Sequence, residues 1–171
     1  MGETMHRNAL ILTVLVTLLC GCASSRRQVA APPDTGALGL LLDEWTAAWS
    51  SNDVSRLTRL FTEDVYYEDV PLGAVSRGRP ALAGFATSVF DGFANLKFER
   101  KSRFVSADGR VGAIEWVFRG RQVKDFPGMA ATDKPFEVRG STIVEFRDGR
   151  ISRNSDYWDL ATYMRQVGLA R

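Results

Sequence analysis

One dipeptide near the C-terminus constrains the fold more than any other feature of the sequence. Asp148-Gly149 separates two runs of alternating apolar and polar residues. An Asp-Gly pair in this setting predicts a two-residue hairpin between antiparallel strands, because both turn positions need a positive φ. On the second predicted strand one face carries Ser152, Asn154, Asp156 and Trp158. A carboxylate beside an amide and an indole fits a pocket, and it equally fits an aspartate that faces solvent or caps the next helix.

The N-terminus is predicted to be a secretory signal peptide, residues 1–21, rather than part of the fold. Arg7 precedes an apolar run, residues 9–19, that is too short to span a bilayer. The following residues, Leu19-Cys20-Gly21-Cys22, resemble the lipobox of bacterial lipoproteins. That resemblance implies that Cys22 is lipidated and that its lipid is the only membrane attachment. The alternative, a disulfide or metal site at the two cysteines, has no further cysteine to complete a metal site.

The rest of the chain divides into a tether and one domain. Residues 22–37 are rich in Ala, Ser, Pro, Gln and Arg, which predicts a flexible tether, and residues 38–171 have the size of a single domain. Ala23 is not the aspartate that retains lipoproteins in the inner membrane, so the lipobox resemblance implies a cell-envelope protein, on the outer membrane facing the periplasm in a Gram-negative cell. The 22 basic and 20 acidic residues are too balanced to indicate a nucleic-acid partner.

Histidine usage restricts the chemistry. His6 is the only histidine and falls in the predicted signal peptide. A mature domain without imidazole excludes a Ser-His-Asp nucleophile, a His-ligated metal and a His general base. Acid/base chemistry would depend on carboxylates, Tyr or Lys, and neither a metal nor a cofactor is expected.

The pattern along the domain predicts helices first and strands afterwards. An apolar stripe over residues 38–49 predicts the first helix, and we interpret Trp45 and Trp49 on it as core residues rather than a ligand platform. A short second helix follows to Phe61, and a third follows Arg77-Gly78-Arg79-Pro80. Predicted strands cover residues 65–70, 96–106, 110–122 and 136–147, followed by the closing hairpin partner. This order predicts an α+β domain.

The long strands are apolar or mixed on both faces, for example around Ile114, Trp116 and Val117. We therefore expect helices on one face of the sheet and a second copy of the chain, in a homodimer, on the other.

Segments spread over most of the domain resemble a known family. They are Trp49-Ser50-Ser51-Asn52-Asp53, Phe61-Thr62-Glu63-Asp64-Val65, Arg77-Gly78-Arg79-Pro80-Ala81-Leu82, Glu115-Trp116-Val117-Phe118-Arg119-Gly120, Asp133-Lys134-Pro135-Phe136, Phe146-Arg147-Asp148-Gly149-Arg150-Ile151 and Asp156-Tyr157-Trp158-Asp159. The chain resembles the SnoaL-like polyketide cyclases of the nuclear transport factor 2-like superfamily. The resemblance implies a cone of three N-terminal helices packed on a strongly bent antiparallel sheet, with a short C-terminal helix and a pocket between helices and sheet.

The same resemblance implies site residues. Asp156 matches the aspartate that the cyclases use as general acid/base, and burial against Trp116, Phe118 and Trp158 would raise its pKa. Residues 65–72 also resemble limonene-epoxide hydrolases. Tyr67 matches their tyrosine and Asp69 their asparagine. Trp116 and Phe118 replace their Arg and Asp, so the cation that orders the carboxylates in that mechanism is missing.

Two functional hypotheses follow. In the first, Asp156, Asp69 and Tyr67 perform acid/base chemistry on a small hydrophobic carbonyl compound. The residues expected to contact the ligand are Trp116, Phe118, Val138, Asn154 and Trp158. In the second, the same pocket captures a hydrophobic ligand or a protein partner without chemistry, and the two aspartates are only structural.

Overall fold

The first helix begins at a side-chain cap. The structure, a computed structural model, describes residues 34–126 and 129–170, so the predicted signal peptide and Cys22 lie outside the described residues. Asp34 accepts a hydrogen bond from the backbone N–H of Ala37 (3.0 Å). Because this cap satisfies a free N–H of the first turn, the helix begins at Thr35, before the predicted start at Leu38.

Helices and strands alternate along the described chain. The helices are α1 (Thr35–Trp49), α2 (Val54–Thr58), α3 (Gly78–Gly92) and α4 (Leu160–Val167). The strands are β1 (Phe61–Asp69), β2 (Ala74–Arg77), β3 (Phe93–Val105), β4 (Val111–Gln122), β5 (Pro135–Arg147) and β6 (Arg150–Trp158). Within these described ranges no helix is long and apolar enough to cross a membrane.

All of these strands join one sheet, in the order β2-β1-β6-β5-β4-β3. The predicted hairpin is confirmed: Asp148 and Gly149 have φ values of 52° and 70° and connect β5 to its antiparallel partner β6. The pairings from β3 to β6 are antiparallel, as expected for the predicted antiparallel sheet.

The prediction of a wholly antiparallel sheet is wrong at one pairing. β1 lies parallel to β6, so the sheet is mixed, and Asp69 pairs with Asp156 while Tyr67 pairs with Asn154. No turn connects strands this far apart in the chain, so the sequence holds no local signal for their relative direction. The parallel pairing is what sets two carboxylates side by side.

The prediction of three N-terminal helices also needs correction. Only α1 and α2 precede the sheet, because β1 and the unpredicted β2 come before α3. β1 starts at Phe61, the residue at which the second helix is predicted to end, and not at residue 65. Short apolar runs at element boundaries do not distinguish helix from strand.

The two faces of the sheet have different environments. α1 and α3 cover the face that carries Trp116, Thr142 and Asp156, which we call the inner face. Bulges in β3 and β6 curve the sheet around these helices. The opposite, outer face carries exposed apolar side chains, with Phe104 at 67% and Tyr157 at 46% exposure. The homodimer expected to cover that face stays a prediction.

Candidate active site

A cavity of about 50 Å³ lies between the helices and the inner face of the sheet. Its lining includes six predicted site residues, Tyr67, Asp69, Trp116, Phe118, Asp156 and Trp158. The remaining lining residues are Trp49, Leu72, Phe85, Val89, Phe93, Phe98, Phe126, Met129 and Tyr163. Space of this size admits a few water molecules or a small compound.

Two predicted ligand contacts do not line the cavity. Val138 is 2% exposed and packs within the hydrophobic core. Asn154 is fully buried, and its side chain bonds to Asp156 instead of facing the cavity. Val138 pairs with Phe118 and Asn154 pairs with Val144 in the sheet, and neither is among the residues that line the cavity.

Asp156 is the most hydrogen-bonded side chain of the site. Its Oδ1 accepts from the Thr142 hydroxyl (2.6 Å) and from the Asn154 amide (2.8 Å). Its Oδ2 accepts from the Tyr67 hydroxyl. With 5% exposure, the carboxyl group exchanges hydrogen bonds with these three groups rather than with bulk water.

Two indoles fix the direction of this network. Trp116 donates from Nε1 to the Thr142 hydroxyl oxygen (2.8 Å), so the Thr142 proton is directed to Asp156. Trp45 donates to Oδ1 of Asn154 (3.1 Å), which turns the Asn154 amide nitrogen toward Asp156. An indole N–H can only donate a hydrogen bond, so the Thr142 hydroxyl and the Asn154 amide cannot take the opposite orientation. A proton bound to Asp156 therefore resides on Oδ2, the oxygen that contacts Tyr67.

Burial raises the pKa of Asp156 to about 7. Desolvation is the largest cause, and the negative charge of Asp69 adds to it. The hydrogen bonds from Thr142, Tyr67 and Asn154 oppose the shift, because they stabilise the charged form. The carboxyl group thus holds both protonation states near neutral pH.

Asp69 occupies the neighbouring position on β1. Its carboxylate accepts from Nε1 of Trp158 (3.0 Å to Oδ1) and from the backbone N–H of Leu72 (3.1 Å). Desolvation raises its pKa to about 6, while these two donors work in the opposite direction. Burial therefore raises the pKa values of both carboxyl groups that pair across β1 and β6.

Tyr67 remains a neutral donor across the physiological range. Its pKa is raised well above the ordinary value, first by desolvation and then by the charges of Asp156 and Asp69. The phenol therefore supplies a hydrogen bond to Oδ2 of Asp156 and does not itself act as a base.

Sequence reasoning missed two parts of this arrangement. Thr142 was not selected, although it is a polar residue on a β5 face that otherwise carries Val138, Gly140 and Val144. That interruption of the apolar alternation is a signal that could have identified it. Trp45 was interpreted as core, and it is fully buried, but its indole also orients Asn154.

No metal site accompanies these carboxylates in the described part of the chain, where no group of three His, Cys, Asp or Glu side chains could hold an ion. The donors around the two aspartates are indole, hydroxyl, amide and backbone N–H groups. The arrangement can hold, accept and return a proton inside an apolar cavity.

The fold is shared with solved bacterial proteins. A hypothetical protein with a ketosteroid isomerase-like fold from Catenulispora acidiphila, solved with trimethylamine, is 24% identical over 81% of this chain and 95% of its own, with a TM-score of 0.67. TsrD from Streptomyces laurentii is 23% identical over 80% of this chain and 98% of its own, with a TM-score of 0.71. A candidate polyketide cyclase from Xanthomonas campestris is 22% identical over 77% and 97%, with a TM-score of 0.68.

Such identities establish the fold alone, and no curated protein matches the chain significantly. The sequence model of the SnoaL-like polyketide cyclases, in contrast, matches residues 39–167. This match spans all the strands and the residues of the cavity lining. By that match, the chain belongs to the SnoaL-like polyketide cyclase family.

Proposed function

We propose that this protein catalyses cofactor-free acid/base chemistry, an isomerisation or a cyclisation, on a small hydrophobic carbonyl compound. The observation that supports the proposal most is the position of Asp156. A buried carboxyl group with a pKa of about 7 lines an apolar cavity. A group that holds both protonation states at the working pH is suited to proton transfer.

The proposed reaction moves one proton. Oδ2 of Asp156 takes a proton from the carbon next to the carbonyl group, and the electrons of the C–H bond form the enolate. In an isomerisation, the same oxygen then returns the proton to another carbon or to oxygen. In a cyclisation, the enolate carbon forms a bond to a second carbonyl carbon of the molecule, the π electrons of that carbonyl move to its oxygen, and this oxygen takes the proton back from Asp156. Tyr67 keeps Oδ2 in place through its hydrogen bond. The apolar lining excludes water that would protonate the enolate at random.

The cavity size supports a small substrate. A volume of about 50 Å³ accommodates a compound of a few heavy atoms. A multi-ring polyketide would need Phe85, Phe126 or Trp158, which are half-buried, to move aside.

The test is hydrogen exchange. The purified protein is incubated in D₂O at pH 7.5 with small ketones, such as cyclopentanone, and deuterium incorporation is followed by NMR. We expect exchange above the buffer rate, and a loss of roughly 10²- to 10⁴-fold in Asp156→Asn. Glu68→Gln is the matched control, since Glu68 precedes Asp69 on β1 but faces the outer side. Equal exchange in wild type and Asp156→Asn would contradict the proposal.

The second candidate function is ligand capture without chemistry. The observation in its favour is that three protein donors already saturate most of the Asp156 carboxyl group. A protein that binds small ketones, as followed by calorimetry, but exchanges none of their hydrogens would be a binding module.

We also propose that the protein forms a homodimer through the outer face. Exposed Phe104, Ile143 and Tyr157 lie on that face, and a shallow depression of about 400 Å³ adjoins two of them. The change Phe104→Glu is expected to convert the dimer to a monomer in sedimentation velocity experiments. An unchanged oligomeric state in that variant would contradict this interface.

Attachment to the cell envelope through Cys22 stays a prediction. Metabolic labelling with an alkyne-tagged fatty acid should mark the wild-type protein and not the Cys22→Ser variant. Equal labelling of the two would contradict it.

A further inference from the structure

The four indole groups of the chain differ in their hydrogen bonding. Three of them donate into the carboxylate network: Trp45 to Asn154, Trp116 to Thr142 and Trp158 to Asp69. The fourth, Trp49, has a buried Nε1 with no acceptor among the described residues. A buried donor without a partner is costly, and such groups are rare in folded proteins.

The surroundings of Trp49 explain why it lacks a partner. Its ring packs against the rings of Phe85, Phe90 and Phe98, at centroid distances of 6.3, 5.6 and 5.9 Å, and none of them carries a hydrogen-bond acceptor atom. The Tyr67 ring is also near, at a centroid distance of 6.1 Å, but its hydroxyl oxygen does not accept a hydrogen bond from Trp49. Trp49 lines the cavity and is only 2% exposed, so bulk water does not solvate its ring.

We infer that Trp49 is a ligand-binding residue whose Nε1–H donates a hydrogen bond to an oxygen atom of the compound that occupies the cavity. The unpaired donor and the cavity lining are independent observations, and they meet in the same side chain. The prediction that Trp49 belongs to the core is thereby extended, since the residue is buried and also lines the cavity.

The chemistry of the cavity narrows the class of ligand. The indole donor requires an acceptor, and the aromatic lining favours a hydrocarbon body. An anion is disfavoured, because Asp69 and Asp156 lie in the same cavity and repel negative charge. The ligand class is therefore a small neutral ketone, aldehyde or ester.

This assignment rests on the proposed function only for the reaction that follows binding. In that reaction, the Trp49 N–H would stabilise negative charge as it develops on the carbonyl oxygen while Asp156 removes the neighbouring proton. Binding alone requires no proton transfer, so the two ideas can be tested apart.

The first experiment compares two probes of nearly equal shape. Cyclopentanone carries a carbonyl oxygen, and methylenecyclopentane carries a CH₂ group in its place. In protein labelled with ¹⁵N-tryptophan, the Trp49 indole signal, assigned by its nuclear Overhauser contacts to Phe90, should move downfield with cyclopentanone and not with the hydrocarbon. An unmoved Trp49 signal at saturating cyclopentanone overturns the inference, and it would mean that the N–H faces a neighbouring aromatic ring.

A pair of variants gives the second measurement. Compared with the wild-type protein, Trp49→Phe should bind cyclopentanone roughly three- to tenfold more weakly. Its affinity for methylenecyclopentane should be unchanged. The matched control is Phe90→Leu, which removes a ring that packs against Trp49, carries no hydrogen-bond donor and does not line the cavity, so it should affect the two probes equally. Equal weakening of both probes in Trp49→Phe also overturns the inference. If that variant does not fold, the wild-type indole signal decides.

The indole titration and the hydrogen-exchange assay, both made on the wild-type protein, together separate the two proposals. A Trp49 shift without hydrogen exchange in the wild type supports ketone binding and contradicts the enzyme. Hydrogen exchange without a Trp49 shift supports the enzyme and overturns the role of Trp49.

Discussion

Acidic side chains on the two faces of the sheet have pKa values that are shifted in opposite directions. On the outer face, hydrogen bonds from Lys101 and Arg119 lower the pKa of Glu99 to about 2. On the inner face, burial raises the pKa of Asp69 to about 6 and that of Asp156 to about 7. The same chemical group is therefore charged near neutral pH on the outer face, whereas on the inner face it holds both protonation states near neutral pH.

This difference shows that the environment of a carboxyl group depends on the register of its strand. Glu68 and Asp69 are consecutive on β1, yet Glu68 accepts from Ser155 on the outer face while Asp69 lines the cavity. A shift of one residue would exchange their environments. The four predictions below test whether the face, rather than the residue type, determines behaviour, and they run from the largest expected effect to the smallest.

The largest effect should be the pH dependence of stability. Asp156 has a folded pKa of about 7 against an ordinary 3.8, so the folded state binds more protons than the unfolded state between these values. Its contribution is fully present below pH 3.8 and is lost as the pH rises through about 7, on the order of a few kcal/mol. Asp156→Asn should flatten this part of the curve in urea unfolding. Glu68→Gln serves as the control. If the unfolding free energy of Asp156→Asn fell with pH as steeply as that of the wild type, the assigned role of Asp156 would be contradicted.

A smaller effect is expected from Thr142→Val. The change leaves Nε1 of Trp116 without its acceptor and removes one donor from Asp156. We expect a loss of about 2 kcal/mol at pH 8, where Asp156 is charged. The neighbouring outer-face change Ser141→Ala should cost less than about 0.5 kcal/mol. Similar urea midpoints for the two variants would mean that the inner-face network contributes no more to stability than the outer-face hydroxyl of Ser141.

Tyr67→Phe should act mainly on the carboxyl group beside it. The variant keeps the ring and removes the hydroxyl group that stabilises the charged form of Asp156, so the pKa of Asp156 should rise above its wild-type value. The loss of stability at pH 8 should be about 1 kcal/mol. Titration of the carboxyl carbon by ¹³C NMR measures the pKa, and a downward shift would contradict the assigned direction of the hydrogen bond.

The smallest effect should come from the outer face. Arg119 pairs with Glu99 and Glu137, and all three side chains are partly exposed to solvent that screens their charges. Arg119→Gln should leave the urea midpoint at neutral pH nearly unchanged, and any effect should disappear at 1 M salt. A loss of stability as large as that of Thr142→Val that persists at 1 M salt would show that charge pairs on the outer face are also shielded from solvent.

Local signals predicted much of this molecule. The Asp148-Gly149 turn and the alternation of β6 correctly placed Asp156 with Asn154 and Trp158 on one face. The parallel pairing of β1 with β6 could not be predicted in this way, because it joins distant segments without a turn. The resemblance to the epoxide hydrolases drew attention to Tyr67 and Asp69, which the structure places in the cavity lining.

The limits of the cavity also lay beyond sequence reasoning. Whether Trp49 faces only the core or also a cavity depends on how rings from α1, α3, β3 and β4 pack together. Gly140 is a similar case, since a Cβ there would collide with the indole of Trp116 that reaches across it to Thr142. These steric requirements arise from contacts between elements, and they leave no periodic pattern along the chain.

The position of β6 has a consequence for biosynthesis. This strand is made last, yet it lies in the middle of the sheet, between β1 and β5. While the polypeptide is growing, the β2-β1 pair and the β5-β4-β3 unit each keep an open edge, and the two cannot join. A nascent chain that stops before Arg150 therefore lacks Asp156 and also the strand that holds Asp69 opposite it. The pair of inner-face carboxyl groups is thus complete only after residues 150–158 have been added and the two halves of the sheet have closed on them.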